Sequence, residues 1–283
     1  MGAKCAVGKK SAMPKAFYDF GSVDKDLGVY NTEEKNGRAY IFNHYKFKTK
    51  IAKRKGTDKD VSNLKTIFEK IGIKCKVFND LPIRQVRDEL EKISKKEFSD
   101  YSCCFVVFLS HGQENYIWTN DDKLLYNEVS PYFTSERCES LEGKPKIFIV
   151  QACKGNNSAT PAEKTTENPG EQTDAEEEKE EKEDGVSPAA PIGADCISCF
   201  ASATGYVSYR NEYDGSRFIQ TLTSVVMEYI SDSDWKLDFA SLMTIVAERV
   251  SAIGSDKTKQ RQMPCTVSTL RKRFYLPKID DLL

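Results

Sequence analysis

The chain has no long apolar run, no recognisable secretory leader and almost no excess charge, with 42 Lys and Arg against 43 Asp and Glu in 283 residues. The first two absences read as a soluble, cytoplasmic protein. The third removes any electrostatic reason to expect a nucleic-acid or membrane partner. Met1-Gly2-Ala3-Lys4-Cys5-Ala6 approaches a myristoylation signal but has Ala6 where Ser or Thr is wanted. A disulfide framework is also missing: nine cysteines are an odd number without framework spacing, which reads as free thiols and core packing. Cys196-Ile197-Ser198-Cys199 has metal-binding or redox spacing but no second such pair, so it reads as core, and no metal or other cofactor is implied. Histidine is scarce, with two in the chain, and imidazole chemistry has few places to go.

What is present is an alternation of short apolar runs and amphipathic stretches. Ala39–Asn43 and Lys74–Phe78 read as strands, with a helix over Asp58–Lys70 between them, Thr57 as its cap and Val61, Leu64, Phe68 and Ile71 on one face. Pro82 opens a second helix whose apolar face is Ile83, Val86, Leu90 and Ile93. Two continuous apolar runs, one over Cys103–Leu109 and one that opens the stretch Lys146–Gly155 and ends at Gln151, read as strands buried on both faces. Between them lie a hairpin over Tyr116–Tyr126 and a helical stretch over Glu128–Leu141. Beyond residue 191, Cys196–Ala203 is apolar, helices are expected at Ser216–Ile230 and Asp238–Ala252, and a last strand at Met263–Leu270. The pattern predicts an α/β fold: one domain with a central, mainly parallel six-stranded sheet and helices on both faces.

Two segments fall outside that pattern. Residues 1–27 lack periodicity and read as a short N-terminal segment. Residues 156–191 carry Pro, Ser, Thr and the acidic run Glu176-Glu177-Glu178-Lys179-Glu180-Glu181, which cannot bury enough apolar surface to offset the entropy of ordering. The Lys-rich stretch 46–55 reads as a solvated loop.

The two buried runs end in unusual ways: Ser110-His111-Gly112 and Gln151-Ala152-Cys153-Lys154-Gly155. Open α/β sheets bind ligands at the carboxyl edge of their strands, and these two deliver an imidazole and a thiol there. A cysteine is nucleophilic as thiolate and needs a base nearby. Alone, either residue reads as core; together, each beside glycine, they read as nucleophile and base. The amides of Gly112 and Cys153 are the candidate oxyanion hole.

Gln151-Ala152-Cys153-Lys154-Gly155 with His111 upstream resembles the caspase signature. The resemblance runs from about residue 38 to 276 through Lys53–Asp58, Ser110–Glu114, Gly143–Lys146, Val207–Asn211 and Met263-Pro264-Cys265. Lys154 departs from the usual Arg, Gln or Gly while keeping the charge of the Arg form. The resemblance implies a thiol endopeptidase cutting proteins after aspartate, with Cys153 the nucleophile, His111 the acid/base and a backbone carbonyl near Ala52 orienting it. It assigns Arg54, Gln151 and Arg210 to a pocket for the aspartate, Ser208–Asn211 to the edge that pairs with an extended substrate, and Val207 and Tyr209 to the next pocket. Arg217 stands where the family usually has tryptophan; it either favours an acidic residue at the fourth substrate position or points to solvent.

The resemblance further implies a zymogen: a propeptide over 1–27, a large subunit over 28–174, a linker over 156–191 and a small subunit over 185–283, with cuts after Asp174 or Asp184 and N-terminal trimming at Asp26. The expected assembly is a homodimer of large/small pairs joined at the last strand, acting in apoptosis, with an upstream caspase as a possible activator. The spelling Val207-Ser208-Tyr209-Arg210 resembles initiators, while the short N-terminal segment resembles executioners. A competing reading is a catalytically weak homologue that regulates partner caspases by dimerisation.

Overall fold

A computed structural model of the chain describes residues 28–32, 36–155, 193–232, 236–254 and 261–277. Asp26, Asp174 and Asp184, and with them the expected propeptide and linker, lie outside the described residues.

The elements follow the alternation in the sequence. Strands β1 (Arg38–Asn43), β2 (Lys74–Asn79), β3 (Cys104–Leu109), β6 (Lys146–Gln151), β7 (Cys196–Phe200) and β10 (Cys265–Ser268) form one sheet in the order β10-β7-β6-β3-β1-β2. All neighbours are parallel except β10, which runs antiparallel to β7. Two hairpins stand apart: β4 (Tyr116–Trp118) with β5 (Lys123–Leu125), and β8 (Arg210–Asn211) with β9 (Gly215–Ser216).

The helices α1 (Thr57–Lys70), α3 (Arg217–Ser231) and α4 (Phe239–Ala252) cover one face. Their buried side chains, among them Leu64, Phe68, Phe218, Leu222, Phe239 and Val246, join Ile41, Phe105 and Ile147 of the sheet in one apolar cluster. Helix α2 (Ile83–Ser94) and short 3-10 turns cover the other face over Phe42, Phe108 and Phe148. β3 and β6 are buried at every position, as continuous apolar strands sandwiched between two helical layers must be. The sheet alternation also settles Cys196 and Cys199: three residues apart on one strand, they point into opposite clusters and cannot grip one ion together.

Two sequence expectations are corrected. The helix expected over Glu128–Leu141 is instead three 3-10 turns, Tyr126–Glu128, Ser130–Phe133 and Glu139–Leu141. Pro131 removes a donor there and Thr134 bonds back to the Pro131 carbonyl, a local competitor to helix propagation. Thr57 is not the cap of α1. Gly56 holds that position in the left-handed region, φ 84°, and the Thr57 hydroxyl is committed elsewhere.

Candidate active site

Strand register brings the two signature segments together. Asn43, Leu109 and Gln151 stand side by side at the carboxyl ends of β1, β3 and β6, so His44, His111 and Cys153 all leave the sheet at one edge. Gly112 makes the approach possible: a Cβ there would lie 2.8 Å from the Tyr116 carbonyl oxygen and 3.1 Å from that of Cys153. Gly155 does the same on the other side, where a Cβ would stand 2.2 Å from the Gly205 carbonyl carbon.

The thiol of Cys153 lies against Ser208, whose backbone N–H donates to Sγ at 3.4 Å. His111 is half-buried; its Nε2 bonds the Ala52 carbonyl at 2.9 Å and the Phe47 ring packs on it at 5.2 Å. The carbonyl expected near Ala52 is thus Ala52 itself. Burial pushes the His111 pKa down to about 4, the charges of Arg54 and Arg210 push the same way, and the Ala52 bond opposes them. The ring is neutral near pH 7, the form that can take a proton. Gly112 is bridged to Ile117 by Gln113 N–H to the Tyr116 carbonyl and Trp118 N–H to the His111 carbonyl. In that antiparallel arrangement the Gly112 N–H points away from the hairpin, and among the described residues neither it nor the Cys153 N–H has a recorded acceptor.

Arg54 is completely buried. Its Nη1 donates to Thr57 Oγ1 at 2.6 Å, Thr57 donates to Asn43 Oδ1 at 2.6 Å, and Asn43 is fixed by Asn79 at 2.9 Å. Nε and Nη2 of Arg54 have no partner among the described residues. Burial and the nearby Arg210 charge pull its pKa down to about 9, against the pull of Asp60 and Cys153. Arg210, half-buried on β8, donates Nε to the Lys55 carbonyl at 2.8 Å. Gly56 binds the two arginine segments together, since a Cβ there would meet the Asn211 carbonyl oxygen at 2.3 Å. The buried Asp60 sits behind them, accepting from the Ser216 N–H at 2.7 Å. Gln151 donates Nε2 to Ser208 Oγ at 3.1 Å, and its buried Oε1 has no partner among the described residues. Exchanging the two ends of this amide lets Oε1 accept from Ser208 and turns Nε2 outward as a further donor.

The remaining candidates fall beside the thiol. Tyr209 gives its N–H to Gln262 at 2.8 Å and accepts at its carbonyl from Arg217 N–H at 3.1 Å. Strand alternation therefore turns the backbone groups of Ser208 and Arg210 to the opposite side, where Ser208 already meets Cys153. Val207 and Tyr209 are half-buried next to that edge. Asn211 is spent on its own turn, accepting from Tyr213 N–H at 2.7 Å. The Arg217 guanidinium stacks on the Tyr209 ring at 4.5 Å and reaches the Ile253 carbonyl at 3.5 Å, so it packs on the wall of the site. Lys154 is buried, its amine 3.8 Å from the Phe200 ring centre, and burial lowers its pKa.

Sequence reasoning missed the support behind Arg54. Thr57 was legible only as a helix cap and Asp60 as one more helix carboxylate. Asn43 and Asn79, polar residues closing apolar strands, were the available signal.

Fold and site together define a class: a cysteine hydrolase on a mainly parallel sheet, with its thiol, imidazole and two arginines on the carboxyl edge. The comparisons with known proteins are specific. The family model described as the Caspase domain matches residues 36–275. Caspase-6 of Mus musculus is 33% identical over 272 residues, covering 92% of this chain and 95% of the relative. Caspase-3 of Felis catus is 31% identical, covering 94% of each. The crystal structure of caspase-1 from Spodoptera frugiperda superposes with a TM-score of 0.75 at 26% identity, covering 91% of this chain and 96% of that one. The chain belongs to the caspase family of cysteine proteases.

Proposed function

We propose that the protein is an endopeptidase that cuts polypeptides after aspartate. The observation that carries this is Arg54: a guanidinium with no exposure and with two nitrogens unpaired among the described residues, beside Arg210 and within electrostatic reach of the thiol of Cys153. A buried cation with free donors calls for an anion, and a short side chain ending in carboxylate supplies one with matching fork geometry. The substrate lies extended along Ser208–Arg210 as an added strand. Cys153 attacks the main-chain carbonyl carbon of the aspartate, the Gly112 and Cys153 amides hold the oxyanion, and His111 passes the thiol proton to the leaving amine of the next residue. Water then attacks the thioester, with His111 taking its proton, and releases the acid and the thiol.

The rest of the reading is regulatory. The chain is made as a zymogen, cut after Asp174 or Asp184 by itself or by an upstream caspase. It works as a homodimer joined at β10, an outer strand with Met263 exposed beside it, and acts in the cytoplasm as an executioner of apoptosis. Among the described residues no helix is long and apolar enough to cross a membrane. The test is intact-mass analysis of the full chain beside its Cys153→Ala variant, with an aspartate-ending reporter peptide. Cleavage after Asp174 or Asp184 in the wild type alone, with turnover of the peptide, is the expected result. A chain that stays inactive even after it is cut contradicts the proposal.

A further inference from the structure

Six lysines, Lys46, Lys48, Lys50, Lys53, Lys55 and Lys59, lie within one stretch of loop and helix start, and all are exposed. The stretch is anchored on the candidate catalytic groups. Its Phe47 ring and Ala52 carbonyl both rest on His111, and Arg54 within it is the buried cation of the aspartate pocket.

Among the described residues the carboxylates nearby keep their charge but form an ion pair with one of the six lysines alone. Lys55 pairs with Glu212 at 3.1 Å; among the described residues no carboxylate pairs with the other five. Asp58 is the one exposed acid in the stretch, and Asp60 is buried under Ser216. On the packed neighbours, Asp80 is taken by the N–H groups of Tyr45 and Lys46, Asp121 accepts from Ile83 N–H, and Asp122 accepts from Lys123 N–H. The loop is held in place by Asn120, which donates to the Lys46 carbonyl at 2.8 Å and accepts from Lys48 N–H at its own carbonyl.

We infer that this lysine rim is a second recognition surface, taking an acidic polypeptide segment that follows the cleaved bond. The inference rests on the proposed function above. His111 hands its proton to the leaving amine, so the loop resting on His111 lies on the leaving-group side. A patch of one sign beside a cleft raises the local concentration and capture rate of a segment of the opposite sign, and salt screens the effect. The residues following Asp174 in the chain's own sequence, Ala175-Glu176-Glu177-Glu178, are of that chemical kind.

The test uses two peptides spanning residues 170–181, one native and one with every Glu after Asp174 replaced by Gln, on the full chain and on its Lys46→Gln/Lys48→Gln/Lys50→Gln/Lys53→Gln variant. The native peptide should show a kcat/KM about tenfold above the Gln peptide at low salt, an advantage lost in the variant and at high salt, while both enzymes cut the Gln peptide equally. A preference that survives in the variant, or no preference at all, overturns the inference. If neither peptide is cut and the aspartate-ending reporter is not cut either, the proposed function fails first. Fluorescence anisotropy of both peptides on the Cys153→Ala chain, with and without the lysine changes, then still decides: tighter binding of the acidic peptide that depends on the lysines upholds the surface, and equal binding rejects it.

Discussion

Replacing the aspartate of a good substrate peptide by asparagine exchanges one carboxylate oxygen for an amide nitrogen, removes the charge and leaves every other contact in place. The structure sets the consequence. The pocket presents Nε and Nη2 of Arg54, both unpaired among the described residues, the guanidinium of Arg210, and the amide of Gln151. A hydrogen bond to a charged group is worth about 1.5–3 kcal/mol. Two such bonds weakened give about 3–6 kcal/mol, or roughly 10²–10⁴ in kcat/KM. The assay is kcat/KM for the peptide pair, repeated on Arg54→Ala. In that variant overall activity collapses and the preference shrinks to about tenfold, because one of the two cations is gone. An Asp/Asn ratio below about 10² in the native protein would rule out a pocket built on the two arginines, as would faster cleavage after Lys or Arg.

Three further outcomes follow from the same geometry. His111 with its pKa near 4 should remain an active base well below the usual imidazole range, so kcat/KM holds through pH 6; a bound carboxylate offsets the arginines that depress it, so the acid limb of kcat should lie higher than that of the free enzyme. His44, 1% exposed with neither ring nitrogen paired among the described residues, is pushed by burial down to about 4; the unfolded chain then binds the extra proton between pH 6.5 and 4, and stability falls across that window as pH drops, by about 3 kcal/mol for this group, a slope that thermal melts of His44→Asn should lack. Thr57→Val removes the hydroxyl that links Arg54 to Asn43. It should lower kcat/KM for the Asp peptide about tenfold through KM and cost about 1–2 kcal/mol in urea unfolding, while Thr57→Ser restores both.

The parts of this fold legible in the sequence are those where burial is all-or-none. β3 and the Ile147–Val150 run of β6 are apolar because helices cover both faces, and their abrupt ends in His-Gly and Cys-Lys-Gly mark the sheet edge. Helix α2 was equally plain, with Val86, Leu90 and Ile93 buried on one face. The stretch 126–141 was not, since Tyr132, Phe133 and Leu141 mimic helical spacing while Pro131 breaks the hydrogen-bond ladder. Arg54 and Arg210 had no local signature at all. One sits in a run of lysines, the other at the end of a two-residue strand, and 155 residues separate Arg210 from the Lys55 carbonyl it bonds. Their meaning depends on tertiary contacts, chiefly the close approach of Gly56 to Asn211, and only the family resemblance singled them out. Thr57 was misread for a related reason: its hydroxyl serves a distant guanidinium in place of its own helix.

The central claim is that the Cys153 thiol is a nucleophile served by an aspartate pocket. A peptide ending in an aspartyl chloromethyl ketone tests it directly, read by intact mass and peptide mapping. One adduct per chain is expected, on Cys153, formed far faster than with the asparaginyl analogue and absent in Cys153→Ala. Labelling spread over other cysteines, or equal rates for the two reagents, would contradict it.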